Sequence, residues 1–104
     1  MSDGLAFLSG HDLAVYSSSG CPDCTRLERW LAARGVTYRK VPIDADPAAA
    51  DRLERETGLQ AVPFFLVDDR AWVRGYHNEE PSRLSEAKLL DELRAAVRAA
   101  SAPR

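Results

Sequence analysis

The chain has 104 residues, of which 45% are hydrophobic, so these residues can bury one core but are too few for two ordinary domains. Fourteen Lys and Arg stand against sixteen Asp and Glu, and a formal charge of −2 gives no reason to expect a nucleic acid or membrane partner. No apolar run approaches the roughly 20 residues that cross a bilayer, and residues 1–12 lack the pattern of a signal peptide. We therefore expect a cytoplasmic monomer.

The first half of the chain predicts a strand, a helix and a second strand. Residues 1–11 show too little pattern for an element and are treated as an N-terminal extension. Residues 13–16 form a short apolar strand that ends in a Ser- and Gly-rich turn. In residues 21–34 apolar side chains recur every three or four positions, which indicates a helix with Pro22 in its first turn. Residues 36–43 alternate as a strand, and the proline at position 42 suits an edge or an exit.

The second half predicts a helix, a hairpin and a last helix. Residues 44–47 supply an N-cap and a proline for a helix over 48–57 that Gly58 ends. Residues 62–67 and 71–74 read as an antiparallel hairpin, followed by a polar loop over 76–81. Ser82 or Ser85 could cap the last helix. Its apolar stripe consists of Leu89, Leu90, Leu93, Ala96, Val97 and Ala100.

These elements predict one α/β sandwich. A βαβ unit requires a parallel strand pair, and the hairpin adds two antiparallel strands, so the sheet is mixed and four-stranded with helices on its faces. The folded domain is expected over residues 12–100, between the extension over 1–11 and a disordered tail over 101–104.

Two cysteines, Cys21 and Cys24, lie where the first strand passes into the first helix. A thiol at a helix N-terminus or in a Cys-x-x-Cys pair has its pKa lowered from about 8.5 to about 3.5–7.5, because amide donors and the helix dipole stabilise the thiolate. Cys21 is the predicted nucleophile. Cys24 follows one turn later on the same face and is predicted to resolve a mixed disulfide. Asp23 places a negative charge between the sulfurs and should oppose thiolate formation.

Other interpretations of the pair are weaker. A zinc site would need two more ligands, and only His11 and His77 remain, at no familiar spacing. A structural disulfide is not expected in a reducing compartment, although an inert pair of helix cysteines stays open. His77 could tune the Cys21 thiolate, but we favour an exposed loop position for it. We assign no role to His11.

Three motifs together resemble the glutaredoxins and the glutaredoxin-like electron donors of ribonucleotide reductase: Cys21-Pro22-Asp23-Cys24, Ala61-Val62-Pro63 before an apolar strand, and Gly75-Tyr76. The resemblance covers residues 13–100. It implies a thioredoxin-like βαβββα sandwich with three helices, and an oxidoreductase that binds no cofactor and carries a redox-active disulfide between Cys21 and Cys24. It also implies a cis proline at Pro63 facing the cysteines. The residues that it places at the substrate are Pro22, Val62, Pro63, Gly75 and Tyr76.

The chain departs from the glutathione-using members at three places. Ser18 stands where many have lysine, Asp23 where they have an aromatic residue, and residues 74–78 where they have Gly-Gly and an aspartate. These losses weaken the case for tight glutathione binding, because charge-assisted hydrogen bonds to the tripeptide would be missing.

We expect a dithiol oxidoreductase that reduces protein disulfides or mixed disulfides between proteins and small thiols. Its electron donor would be glutathione, another small thiol or thioredoxin reductase. Two alternatives remain: a partner-specific carrier for ribonucleotide reductase, and an iron-sulfur or metal module with Cys21 as ligand. The hypothesis of a partner-specific carrier rests on Trp72, Gly75-Tyr76, Pro81 and Arg83. The two aromatic residues of this set, Trp72 and Tyr76, are equally suited to packing on the sheet.

Overall fold

The computed structural model describes residues 3–102. It contains a short 3₁₀ helix, four strands and three α-helices. The 3₁₀ helix is Asp3–Leu8; the strands are β1 (Leu13–Ser17), β2 (Arg39–Pro42), β3 (Phe64–Val67) and β4 (Ala71–Arg74); the helices are α1 (Pro22–Ala33), α2 (Pro47–Thr57) and α3 (Glu86–Ser101).

The strands form one mixed sheet in the order β2-β1-β3-β4. β1 runs parallel to β2 and antiparallel to β3, and β3 runs antiparallel to β4. Tyr16 of β1 lies between Val41 of β2 and Phe64 of β3. Pro42 ends the edge strand, where its missing amide donor costs no ladder bond. The predicted α/β sandwich with a four-stranded mixed sheet is confirmed.

Helices cover both faces of the sheet, and each face has its own apolar cluster. On one face, Leu27 of α1 and Leu93 of α3 pack against Val15 and Phe65. On the other, Leu53 of α2 packs in the cluster that contains Tyr16, Phe64 and Leu66. This alternation along β1 and β3 follows from the period of two in a strand.

Local signals set the helix ends. The Asp46 side chain accepts from the Ala49 amide at 3.2 Å, and Gly58 ends α2 in the left-handed region, at φ 77°. Ser85, not Ser82, caps α3, since its hydroxyl accepts from the Lys88 amide at 3.3 Å.

The structure corrects several predicted boundaries. Residues 1–11 were expected to hold no element, yet Leu5 and Leu8 of the 3₁₀ helix are buried in the cluster under α1 and α3. A segment of six residues is too short to show a helical period in the sequence. The element is held in the fold by the burial of its leucines. β2 occupies 39–42, not 36–43, because the Val36 amide still donates to Leu31 O, which closes α1.

The hairpin and the C-terminus differ from the prediction in smaller ways. β3 begins at Phe64 instead of residue 62, since Pro63 has no amide to donate. Of the tail predicted over 101–104, Ser101 is the last residue of α3, and residues 103–104 lie outside the described part. No helix within residues 3–102 has the length and hydropathy needed to span a bilayer.

Candidate active site

The two cysteines lie at the N-terminus of α1, as predicted. Cys21 is the N-cap residue, and the Cys24 amide donates to Cys21 Sγ at 3.1 Å. Their Cα atoms are 5.2 Å apart, and their sulfurs lie close enough to form a disulfide. Cys24 is 1% exposed, whereas Cys21 is partly exposed. One sulfur therefore faces the surface and the other lies beneath it.

A hydrogen-bonded loop carries the chain from β1 to Cys21. Ser19 donates to Asp44 Oδ2 from its hydroxyl, at 2.5 Å, and from its amide, at 3.3 Å. These bonds lower the pKa of Asp44. The sequence predicted an N-cap for α2 within residues 44–47. Asp46 has that role, whereas Asp44 anchors the loop that precedes the cysteines.

The Val62–Pro63 peptide faces the cysteine pair. Its peptide bond is cis, as the resemblance implied, and Val62 O lies 3.9 Å from Cys21 Sγ. Behind it, the Gly75 amide donates to Pro63 O at 2.9 Å. Gly75 therefore supports Pro63 from the sheet side.

Trp72 and Tyr76 pack on the α2 face of the sheet. The Trp72 ring centroid is 4.8 Å from that of Tyr16, and its indole donates to Glu56 Oε1 at 2.9 Å. The Tyr76 ring lies edge-on to Phe64 at 6.4 Å, and Tyr76 is 9% exposed. For both aromatics the structure favours sheet packing over a free docking surface.

Asp23, between the cysteines, is paired with two arginines. Arg83 donates to both carboxylate oxygens, from Nε at 3.0 and 3.1 Å and from Nη2 at 2.8 Å, and Arg26 Nη1 donates at 2.6 Å. The bonds to Arg83, followed by those to Arg26, outweigh burial and lower the pKa of Asp23. The carboxylate that was expected to oppose thiolate formation is thus charge-compensated.

The prediction that His77 is an exposed loop residue is wrong. The ring is 0% exposed, because the loop before α3 folds over it. Nδ1 accepts from the Ser85 amide at 3.1 Å, so the ring donates from Nε2 to Glu92 Oε1 at 2.9 Å. His11, which was assigned no role, lies with Nδ1 2.6 Å from Asp68 Oδ2. Within residues 3–102 no three His, Cys, Asp or Glu side chains gather as a metal site.

Comparison with known proteins identifies the family. The sequence profile of the glutaredoxins matches residues 13–72, more than half of the chain. The chain belongs to the glutaredoxin family. Its fold and its cysteine pair are those of a glutaredoxin-like oxidoreductase of the thioredoxin superfamily.

Individual glutaredoxins are distant in sequence. Glutaredoxin 3 of Escherichia coli is 28% identical over 57 residues, which cover 55% of this chain and 69% of that protein. The glutaredoxin-like protein NrdH of Lactococcus lactis is 27% identical over 73 residues, covering 70% of this chain and 99% of the relative. The crystal structure of a glutaredoxin from Archaeoglobus fulgidus superposes with a TM-score of 0.61 at 25% identity, over 86% of this chain and 94% of the other.

Proposed function

We propose that this glutaredoxin-like protein reduces protein disulfides, or mixed disulfides between proteins and small thiols, as a cytoplasmic monomer without a bound cofactor. The observation that carries the proposal is the arrangement of the cysteines at the start of α1. Cys21 is within reach of a substrate, and Cys24 is buried one turn further along the helix. This is the order of exposure that a nucleophile and a resolving thiol require.

The reaction consumes two electrons from the dithiol. The Cys21 thiolate attacks one sulfur of the substrate disulfide, forming a mixed disulfide and releasing the other sulfur as a thiolate that takes up a proton. The Cys24 thiol then loses its proton and attacks Cys21 Sγ. The second substrate thiol leaves, and the bond between Cys21 and Cys24 forms. A thiol or a reductase must return both electrons for the next cycle.

Substrate would be held along the Val62–Pro63 edge. An extended chain pairing with the Val62 backbone would place its disulfide over Cys21, since Val62 O is already 3.9 Å from that sulfur. Pro22 is exposed beside it and would form the other wall. Of the remaining predicted contacts, Gly75 would act through Pro63, and Tyr76 through its packing with Phe64.

A second candidate is a carrier dedicated to one partner, such as ribonucleotide reductase, and reduced by thioredoxin reductase. The match that covers 99% of the NrdH protein of Lactococcus lactis favours it. The loop that replaces the Gly-Gly-Asp pattern also favours it, because Arg83 of this loop lies beside Asp23. The two carboxylates of the loop, Glu79 and Glu80, already lie near basic side chains.

The electron donor separates the two candidates. The oxidised protein is offered glutathione with glutathione reductase and NADPH, or thioredoxin reductase and NADPH, and NADPH consumption is followed. Turnover with glutathione supports the general reductase. Turnover with thioredoxin reductase alone supports the dedicated carrier. A Ser18→Lys variant, which restores the lysine of many glutathione-using members, serves as a control for sensitivity to glutathione.

The cysteine roles are tested by exchange to serine. Cys21→Ser should abolish reduction of a protein disulfide, because no exposed thiol remains to attack. Cys24→Ser should accumulate a mixed disulfide with substrate, detectable by mass spectrometry of the intact protein. Equal residual activity of the two variants would contradict the assignment.

A further inference from the structure

We infer that Arg83 is a positioning residue that favours the thiolate form of Cys21 by pairing with Asp23, and that buried His77 holds Arg83 in place. The inference rests on the proposed function, in which that thiolate is the attacking group. Arg83 lies sixty positions beyond Asp23 in the chain, so the fold alone brings the two together.

The pairing is two-pronged. Nε and Nη2 of Arg83 engage both oxygens of Asp23, which is the geometry in which a guanidinium binds a carboxylate most strongly. Arg26 adds one bond from its own helix. The Asp23 side chain is 17% exposed and that of Arg83 is 46% exposed, so water reaches the guanidinium while the carboxylate is largely covered.

The loop that carries Arg83 is built around His77. The His77 amide donates to Arg83 O at 2.8 Å, and the Arg83 amide donates to Glu80 O at 3.0 Å. From the same buried residue, ring Nδ1 accepts from the Ser85 amide and Nε2 donates to Glu92. These three hydrogen bonds of His77 hold both sides of the loop. Within the loop Arg83 adopts a φ of 61°, a left-handed conformation that is uncommon outside glycine.

The charged groups around Cys21 determine how strongly the contact between Arg83 and Asp23 affects its thiolate. α1 contributes Asp23 and Arg26, and the loop contributes Arg83. On the other side, Asp44 anchors the preceding loop and has Lys40 near it. The segment before β3, which faces the sulfur, offers Val62 and Pro63, which do not titrate. Without Arg83, one cation would remain against Asp23, and the carboxylate would act on the thiolate with its charge only partly compensated.

The test titrates Cys21 directly. In a Cys24→Ser background, which leaves one thiol, the ultraviolet absorbance of the thiolate is followed against pH. Arg83→Gln should raise the pKa of the Cys21 thiol and cut the thiolate fraction at a fixed pH below the midpoint about threefold or more. Arg83→Lys, which keeps the positive charge, should raise the pKa of the Cys21 thiol by less. Asp23→Asn should act in the opposite direction, and the Asp23→Asn/Arg83→Gln double variant should return close to the background.

His77 is tested by non-additivity. His77→Asn retains an acceptor for the Ser85 amide, and Glu92→Ala removes only the partner of Nε2, so each keeps part of the loop. Each variant should raise the pKa of the Cys21 thiol, as Arg83→Gln does. Neither should raise this pKa further when it is combined with Arg83→Gln. Circular dichroism and thermal melts verify that the variants are folded.

The outcomes are separable from those of the proposed function. If folded Arg83→Gln titrates like the background, or if His77 and Arg83 variants add, the inference is wrong even where the wild type reduces disulfides. If the wild type reduces no disulfide while Arg83→Gln still shifts the titration, the proposed function is wrong and the electrostatic role of Arg83 stands.

Discussion

Gly75→Ala should destabilise the protein and disturb the site together. A Cβ at position 75 would lie 2.7 Å from Leu27 Cδ2, and 3.2 Å from both Cγ and O of Pro63. Leu27 is fully buried, and one of the Pro63 contacts is backbone, so neither neighbour can give way cheaply. Overpacking of this kind costs about 1–3 kcal/mol of unfolding free energy. For a domain of this size each kcal/mol lowers Tm by about 4–8 °C.

The same contact should reduce activity. Pro63 lies between Gly75 and the cysteines, and Val62 O is 3.9 Å from Cys21 Sγ. A methyl group that pushes Pro63 outward therefore alters the edge on which a protein substrate would lie. We expect kcat/KM to fall several-fold for a protein disulfide, and less for a small uncharged disulfide that needs no such edge.

Urea unfolding and steady-state kinetics check both effects. Gly58→Ala is the matched control, since nothing lies within 4 Å of its Cβ and its φ of +77° alone should cost about 1 kcal/mol, without a change in activity. In a Leu27→Ala background, where the nearest obstacle is removed, Gly75→Ala should cost less than in the wild type. Wild-type stability and activity in Gly75→Ala would refute the steric reasoning.

Two further contacts give predictions about stability. Asp68 has its pKa lowered from the ordinary 3.8, chiefly by its bond to His11, so this contribution to stability is present above that value and is lost as pH falls through the lowered native pKa. Asp68→Asn should therefore have a lower unfolding free energy than the wild type near neutral pH. Urea unfolding at decreasing pH should show this difference disappear below pH 3.8; a difference that stays constant would contradict the prediction. Glu86 joins α3 to α1 by accepting from the Trp30 indole at 2.8 Å and from Arg34. Glu86→Ala should lower the unfolding free energy by about 1 kcal/mol and change the Trp fluorescence. Glu86→Gln, which keeps an acceptor, should lower the unfolding free energy by less.

The fold could be predicted because its decisive signals are local. Pro22 and Gly58 mark helix ends through their own backbone constraints, and the stripe that includes Leu89 and Leu93 repeats over about three turns of α3. Leu5 and Leu8 escaped prediction because a six-residue 3₁₀ helix carries no period. Their burial depends on α1 and α3, which only the folded chain brings to them.

The site could be predicted in part for the same reason. The cysteine motif and Val62-Pro63 are recognisable in short stretches of sequence, whereas the burial of His77 depends on Ser85 and Glu92 across a loop and a helix. Asp23 in the motif did carry a signal, because a carboxylate beside a reactive thiol calls for a cation. Arg26 lies one turn away on the same helix, so its pairing with Asp23 could have been inferred from spacing. Arg83 was noted only for the carrier hypothesis, and its contact with Asp23 depends on the fold.

Three contacts hold the start of α1 from different directions, and all three join segments distant in the chain. Asp44 anchors the loop before Cys21, and Arg83 holds the first turn of the helix. Val62 O faces the Cys21 sulfur, with Gly75 supporting the Val62–Pro63 peptide from behind. Because each contact comes from a separate element, loss of one should leave the other two in place. Variants at a single contact should therefore change the thiol or the substrate edge selectively, whereas general destabilisation elsewhere should lower the amount of folded protein without altering the titration of Cys21.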